Sequence, residues 1–101
     1  MNRLIKAVTE IIVIEDNDWK RITIVSQEYI KTLTSSSTDE IKEMIDFVYK
    51  NYYMECPFWV KLIAFKILLL QNPNDEEVKK WAVADVQMFG NPEWTEIVEK
   101  W

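Results

Sequence analysis

Between residues 57 and 70 the chain is almost wholly apolar, and Lys61 and Lys66 are its only charged interruptions. No other stretch constrains the fold as strongly. A helix that is apolar nearly all round has to be surrounded, so it is expected at the buried centre of the domain. Pro57 suits the first turn of such a helix, where its missing N–H costs nothing. The stretch is too short for the roughly 20 residues of a membrane-spanning helix, and the two lysines break it further. The rest of the chain must therefore supply the cover. With 101 residues, 49% of them apolar, one helical domain over residues 1–101 with a modest core is the expectation.

Turn-forming residues divide the chain into six pieces. In residues 2–14, Leu4, Ile5, Val8, Ile11 and Ile12 fit one helical stripe, and the acidic turn Glu15-Asp16-Asn17-Asp18 follows. Ile22, Val25, Tyr29 and Leu33 make a second stripe after Trp19. The β-branched runs Ile11-Ile12-Val13-Ile14 and Ile22-Thr23-Ile24-Val25 flank that turn, which is also a hairpin signal. A β-hairpin over about residues 10–26 is thus the alternative, but the amphipathic spacing runs on past both clusters and favours helices.

Further along, Thr34-Ser35-Ser36-Ser37 is a polar linker, and Ser37-Thr38-Asp39-Glu40 reads as a capping box. Ile41, Met44, Ile45, Val48 and Tyr52 give the third helix its inner face. After the apolar helix, Asn72-Pro73-Asn74-Asp75 makes a break, with Asn74 and Glu77 as a second capping box. A fifth helix runs to Phe89, and Gly90 is placed for a left-handed C-terminal cap. Asn91-Pro92 opens the sixth, whose stripe is Trp94, Ile97, Val98 and Trp101. Trp59, Trp81 and Trp94 are assigned to the core. The expected fold is all-α, a compact bundle of about six short helices.

Composition excludes much chemistry. Without histidine there is no Ser-His or Cys-His pair, no imidazole shuttle and no His-ligated metal. A single glycine rules out a P-loop and a G-x-G-x-x-G turn. Cys56 has no partner for an intramolecular disulfide, so nothing depends on an oxidising compartment. Arg3 and Lys6 are not followed by an unbroken apolar run or a cleavage pattern, which makes a cytoplasmic location the expectation. Lys20-Arg21 and Lys79-Lys80 are isolated pairs in a chain of net charge −5, so nucleic acid is not an expected partner. No cofactor, no metal and no catalytic set are implied, and a non-enzymatic role is the reading.

Several residues are candidates for binding a partner. Residues 75–101 hold seven acids and only three bases. Asp75, Glu76 and Glu77 suit the first turn of a helix, where the dipole favours negative charge, and Glu93 and Glu96 lie on the last helix. Such an end would steer a basic partner. On a helical wheel Asp85 falls at about 340°, between the group Val78, Phe89 and Ala82 at about 0–40° and the pair Trp81 and Met88 at about 280–300°, in the middle of an apolar face. A carboxylate there is either an anchor for a cationic partner or a structural group. In the second case it meets backbone amides, Lys61 or Lys66. Tyr49 and Tyr53 share a stripe away from the inner face of the third helix, and exposed tyrosines are frequent binding anchors.

Asn72-Pro73 and Asn91-Pro92 each open a helix, and Glu76-Glu77-Val78-Lys79-Lys80-Trp81 is echoed by Glu96-Ile97-Val98-Glu99-Lys100-Trp101. With the apolar helix before them, residues 57–101 resemble a HEAT-type helical repeat. In overall character the chain resembles the small immunity proteins of contact-dependent growth inhibition and other polymorphic toxin systems. That resemblance implies a heterodimer with a cognate, basic toxin domain, frequently a nuclease, whose active site is occluded. A phage-type inhibitor of a host protein, or a small helical-repeat adaptor, is the alternative.

Overall fold

Leu4, Val8 and Ile11 are buried at helical spacing, as are Val25, Tyr29 and Leu33. A hairpin strand would instead bury every second residue; here Val25 is buried while Thr23 and Gln27, two residues to either side, are exposed. The computed structural model describes all residues except Met1, Glu15, Asp16, Asn91 and the side chain of Phe89. It contains α1 (Arg3–Val13), α2 (Trp19–Thr34), α3 (Thr38–Asn51), α4 (Phe58–Gln71), α5 (Glu76–Phe89) and α6 (Pro92–Glu99). Among the described residues there is no strand, so the fold is all-α and the alternative hairpin does not form. Two acids of the expected turn, Glu15 and Asp16, lie outside the described residues, as do Asn91 and the inward placement of Phe89.

The chain forms two compact units, Met1–Pro57 and Phe58–Trp101. In the first, α1 packs on both α2 and α3. Its helix starts are built by side chains. The Asn2 side chain accepts from the Leu4 amide at 2.8 Å and donates to the Glu40 carbonyl at 2.8 Å, which ties the start of α1 to that of α3. Asp18 caps α2, accepting from the Arg21 amide. Tyr29 and Leu33 from α2 are fully buried, together with Ile41 from α3. Tyr52, expected on the inner face of α3, ends that helix half-buried.

The capping box of α3 forms as the sequence predicts. Ser37 Oγ accepts from the Glu40 amide at 3.2 Å, and the Glu40 carboxylate accepts from the Ser37 amide at 3.1 Å. That backbone donor, helped by the Ser37 hydroxyl and by Arg3, holds the Glu40 carboxyl below its ordinary value of 4.5. A lowered folded pKa means stability that is complete above 4.5 and lost as the pH falls below it. Glu40→Gln is therefore expected to flatten the acid limb of the stability profile. Urea titrations from neutral to acid pH check this, and an unchanged slope would remove Glu40 from the account.

In the second unit α5 packs against α4 and α6. Val60, Leu62, Ala64, Phe65, Leu68 and Leu69 are buried around more than half the circumference of α4, as expected of its composition. Pro57 precedes α4 and does not enter its first turn. The cap of α5 is Asp75, not Asn74: its carboxylate accepts from the Val78 amide at 3.2 Å, and a turn bond from its own amide to Asn72 sets it there. Pro92 occupies the first position of α6.

Gly90 ends α5 with extended backbone (φ −103°, ψ −177°), so the left-handed cap is not adopted. Its value is space. A Cβ at Gly90 would stand 2.9 Å from the Val86 carbonyl oxygen and 3.1 Å from the Phe58 ring. The two similar hexapeptides take different places: Glu76 opens α5, whereas Glu96 is already in the middle of α6. Trp81 and Trp94 are corrected from core to partly exposed, at 40% and 38%. Trp94 packs edge-on to Phe58, with ring centres 6.3 Å apart. Beyond α6, the Trp101 ring lies 4.8 Å from the Lys66 ammonium.

Candidate interaction surface

A binding protein must hold its contacting side chains outside its own core, so exposure sorts the candidates. Asp85 fails that test. Its carboxylate meets the Lys61 ammonium at 3.0 Å, and the two side chains are 0% and 1% exposed. The apolar helix supplies one charge and α5 the other, so the pair joins α4 to α5 inside the second unit. A partner could reach Asp85 only by opening that core. Of the two readings of Asp85, the geometry is that of the structural one, with Lys61 as its cation.

Asp75 is engaged at its own helix start, where its carboxylate caps α5. Glu76 and Glu77 in the first turn of α5 are exposed, and so are Glu93 and Glu96 on α6. The helix dipole accounts for acids in first turns without any partner, which covers Glu76, Glu77 and Glu93. Glu96 lies beyond the first turn of its helix. Tyr49 and Tyr53 stand together in the first unit, rings tilted and centres 5.7 Å apart, with Tyr53 exposed and Tyr49 half-buried. The tyrosine pair and the acids thus belong to different units.

Folding also redistributes the charge. Lys61 and Lys66 lie outside residues 75–101, yet they fold with those acids. The unit Phe58–Trp101 contains seven acids and five bases, and Met1–Pro57 ten acids and seven bases. Neither unit is neutral and neither is strongly acidic. The sharper contrast is between single helices. Pro92–Glu99 carries Glu93, Glu96 and Glu99 with no base among them. All three are exposed, and Trp94 and Ile97 are also partly exposed on this helix, Ile97 at 46%. At about 100° per residue, Glu93, Trp94, Glu96 and Ile97 fall within one half of the helix surface.

Sequence reading missed two exposed apolar features. Trp81, Ala84 and Met88 form an exposed line along α5 at the spacing i, i+3, i+7. On α2, Trp19, Ile24 and Ile30 all face outward. The i+7 spacing of Trp81 and Met88 was visible, but an apolar line on an amphipathic helix looks the same whether it is covered or open. A groove lined by Val13, Ile14, Asn17, Asp18 and Arg21 offers Asp18 as the only acid among those residues, and that carboxylate already caps α2. Among the described residues, no cluster of His, Cys, Asp and Glu is suited to a metal ion. Nor is any helix among them long and apolar enough to cross a membrane. No family model, curated protein or solved structure matches the chain.

Proposed function

We propose that this chain is a stoichiometric inhibitor of a basic protein toxin domain, an immunity protein that binds its partner in the cytoplasm and covers its active site. The observation that carries the reading is the outward face of α6. Within one half of the helix surface the exposed carboxylates Glu93 and Glu96 stand beside a partly exposed Trp94 and Ile97, and the helix itself contains no base. Carboxylates around an aromatic anchor suit a surface rich in Arg and Lys, since the acids attract the cations while the indole covers their alkyl stems. Aromatic anchors contribute much of the energy at such interfaces, and the surrounding charges chiefly set the rate of encounter. Glu93 and Glu96 are kept in this proposal as partner-binding residues, and Ile97 joins them. Tyr49 and Tyr53 remain a separate aromatic contact on the other unit.

The test is co-expression with the toxin domain encoded immediately upstream of this gene. A tight complex is expected whose association slows as salt is added. The double charge reversal Glu93→Lys with Glu96→Lys should slow association by about tenfold or more at low salt, leaving helix content unchanged. Absence of a complex with any adjacent toxin domain would remove the reading. So would a complex indifferent to both salt and charge reversal.

A further inference from the structure

α2 is the electrostatic opposite of α6. It carries Lys20, Arg21 and Lys31 against one acid, Glu28, and all four side chains are exposed. Trp19 and Ile24 project from the same helix at 67% and 60% exposure, with Ile30 at 40%. α4 has the same formal charge, but its cations are engaged within their own unit. Lys61 is buried against Asp85 and Lys66 is half-buried over the Trp101 ring, whereas Lys20, which lies over its neighbour Trp19, is exposed. That leaves α2 as the helix with the strongest outward positive charge and α6 as the one with the strongest outward negative charge. Both also expose large apolar side chains, so each has the charge and the apolar contact the other would need.

We propose that the outer face of α2 on one copy of the chain docks on the outer face of α6 on the next. The contact joins unlike faces, head to tail. A two-fold axis through either face would bring like charges together, Glu93 and Glu96 against the same pair on α6, and repulsion opposes that arrangement. Unlike faces let every copy offer one free α2 and one free α6, so the assembly grows with concentration unless the rotation closes a ring. A bilayer is the poorer occupant of α2. At about 100° per residue, Lys20 and Lys31 fall between Ile30 and Ile24, so there is no continuous apolar stripe to immerse. The inference is independent of the identity of any toxin, but it has a regulatory consequence. A basic partner on α6 would displace the neighbouring copy, so assembly and inhibition exclude one another.

Sedimentation velocity on the full chain at low salt, over a wide concentration series, tests this. The variants are Lys20→Glu with Lys31→Glu, which spoils α2, and Glu93→Lys with Glu96→Lys, which spoils α6. Wild type should show a mean mass that rises with concentration and falls when salt is added. Each variant alone should be monomeric, its self-association weakened by about tenfold or more. Mixed in equal amounts, the two variants should associate again, because the unaltered α6 of one meets the unaltered α2 of the other and the two reversed faces are also opposite in charge. Circular dichroism confirms that both remain folded. A monomeric wild type throughout, a dimer that survives in either variant alone, or a mixture that stays monomeric would each overturn the proposal. Binding of wild type to anionic phospholipid vesicles without self-association would overturn it in favour of lipid.

Discussion

Replacing Lys61 alone by Met is expected to destabilise the fold by about 3–5 kcal/mol, because Asp85 is then left charged in a site that water does not reach. Asp85→Leu should cost a similar amount by stranding the ammonium. The double variant Lys61→Met with Asp85→Leu should recover most of either loss, since two well-packed apolar side chains need no mutual attraction to offset their desolvation. Urea unfolding of the three variants gives the coupling between the positions directly. If the single substitutions cost under about 1 kcal/mol, water must reach the pair in solution. If the double variant is as unstable as either single, the loss comes from packing and not from an unpaired charge. The pair thus fixes how α5 lies on α4 without being the main source of stability.

The second large effect is expected at Tyr29, the bulkiest of the fully buried side chains. Tyr29→Ala should cost about 3–5 kcal/mol, the usual range for deleting a buried ring. Tyr29→Phe keeps the ring and should cost about 1 kcal/mol for the lost hydroxyl. Burial, with a smaller contribution from Cys56, pushes the Tyr29 phenol well above its ordinary value of 10.0. An acid whose folded pKa is raised gives stability that is complete below 10.0 and lost as the pH climbs above it. Tyr29→Phe should therefore flatten the alkaline limb of the profile. An alkaline limb identical to wild type would show that Tyr29 ionises in the folded state as readily as in the unfolded one.

The helices were legible in the sequence wherever a chemical signal coincided with an apolar period. Ser37 and Glu40 announce the start of α3, and Leu4, Val8 and Ile11 announce the inner face of α1. Errors came where one signal admits two geometries. Gly90 was read for handedness because glycine tolerates a positive φ, yet its backbone is extended and what it provides is room beside Val86 and Phe58. Asn74 and Asp75 are both good caps, and a one-residue shift follows from the turn bond to Asn72, which no sequence pattern states.

The candidate surface was less legible. Asp85 stood out because a carboxylate on an apolar face is anomalous, and it is anomalous. Only its distance from Lys61 distinguishes a buried pair from an anchor. Likewise, counting charge along the chain set residues 75–101 apart as acidic. Folding brings Lys61 and Lys66 into the same unit, and what remains distinctive is the short α6. The pattern on α2 was hidden for a related reason: Lys20, Arg21 and Lys31 are too far apart in sequence to read as a basic run, yet on the helix all three are exposed.

The division of the chain at Pro57 and Phe58 separates the two kinds of chromophore. All four tyrosines (29, 49, 52 and 53) belong to Met1–Pro57, and four of the five tryptophans (59, 81, 94 and 101) to Phe58–Trp101. Indole emission therefore reads mainly the second unit, and phenol absorbance reads the first. The one tryptophan outside this pattern, Trp19, is largely solvated already and should change its emission little on unfolding. A melt followed by fluorescence and one followed by phenol absorbance are thus measurements on different halves of one molecule. Neither needs a label.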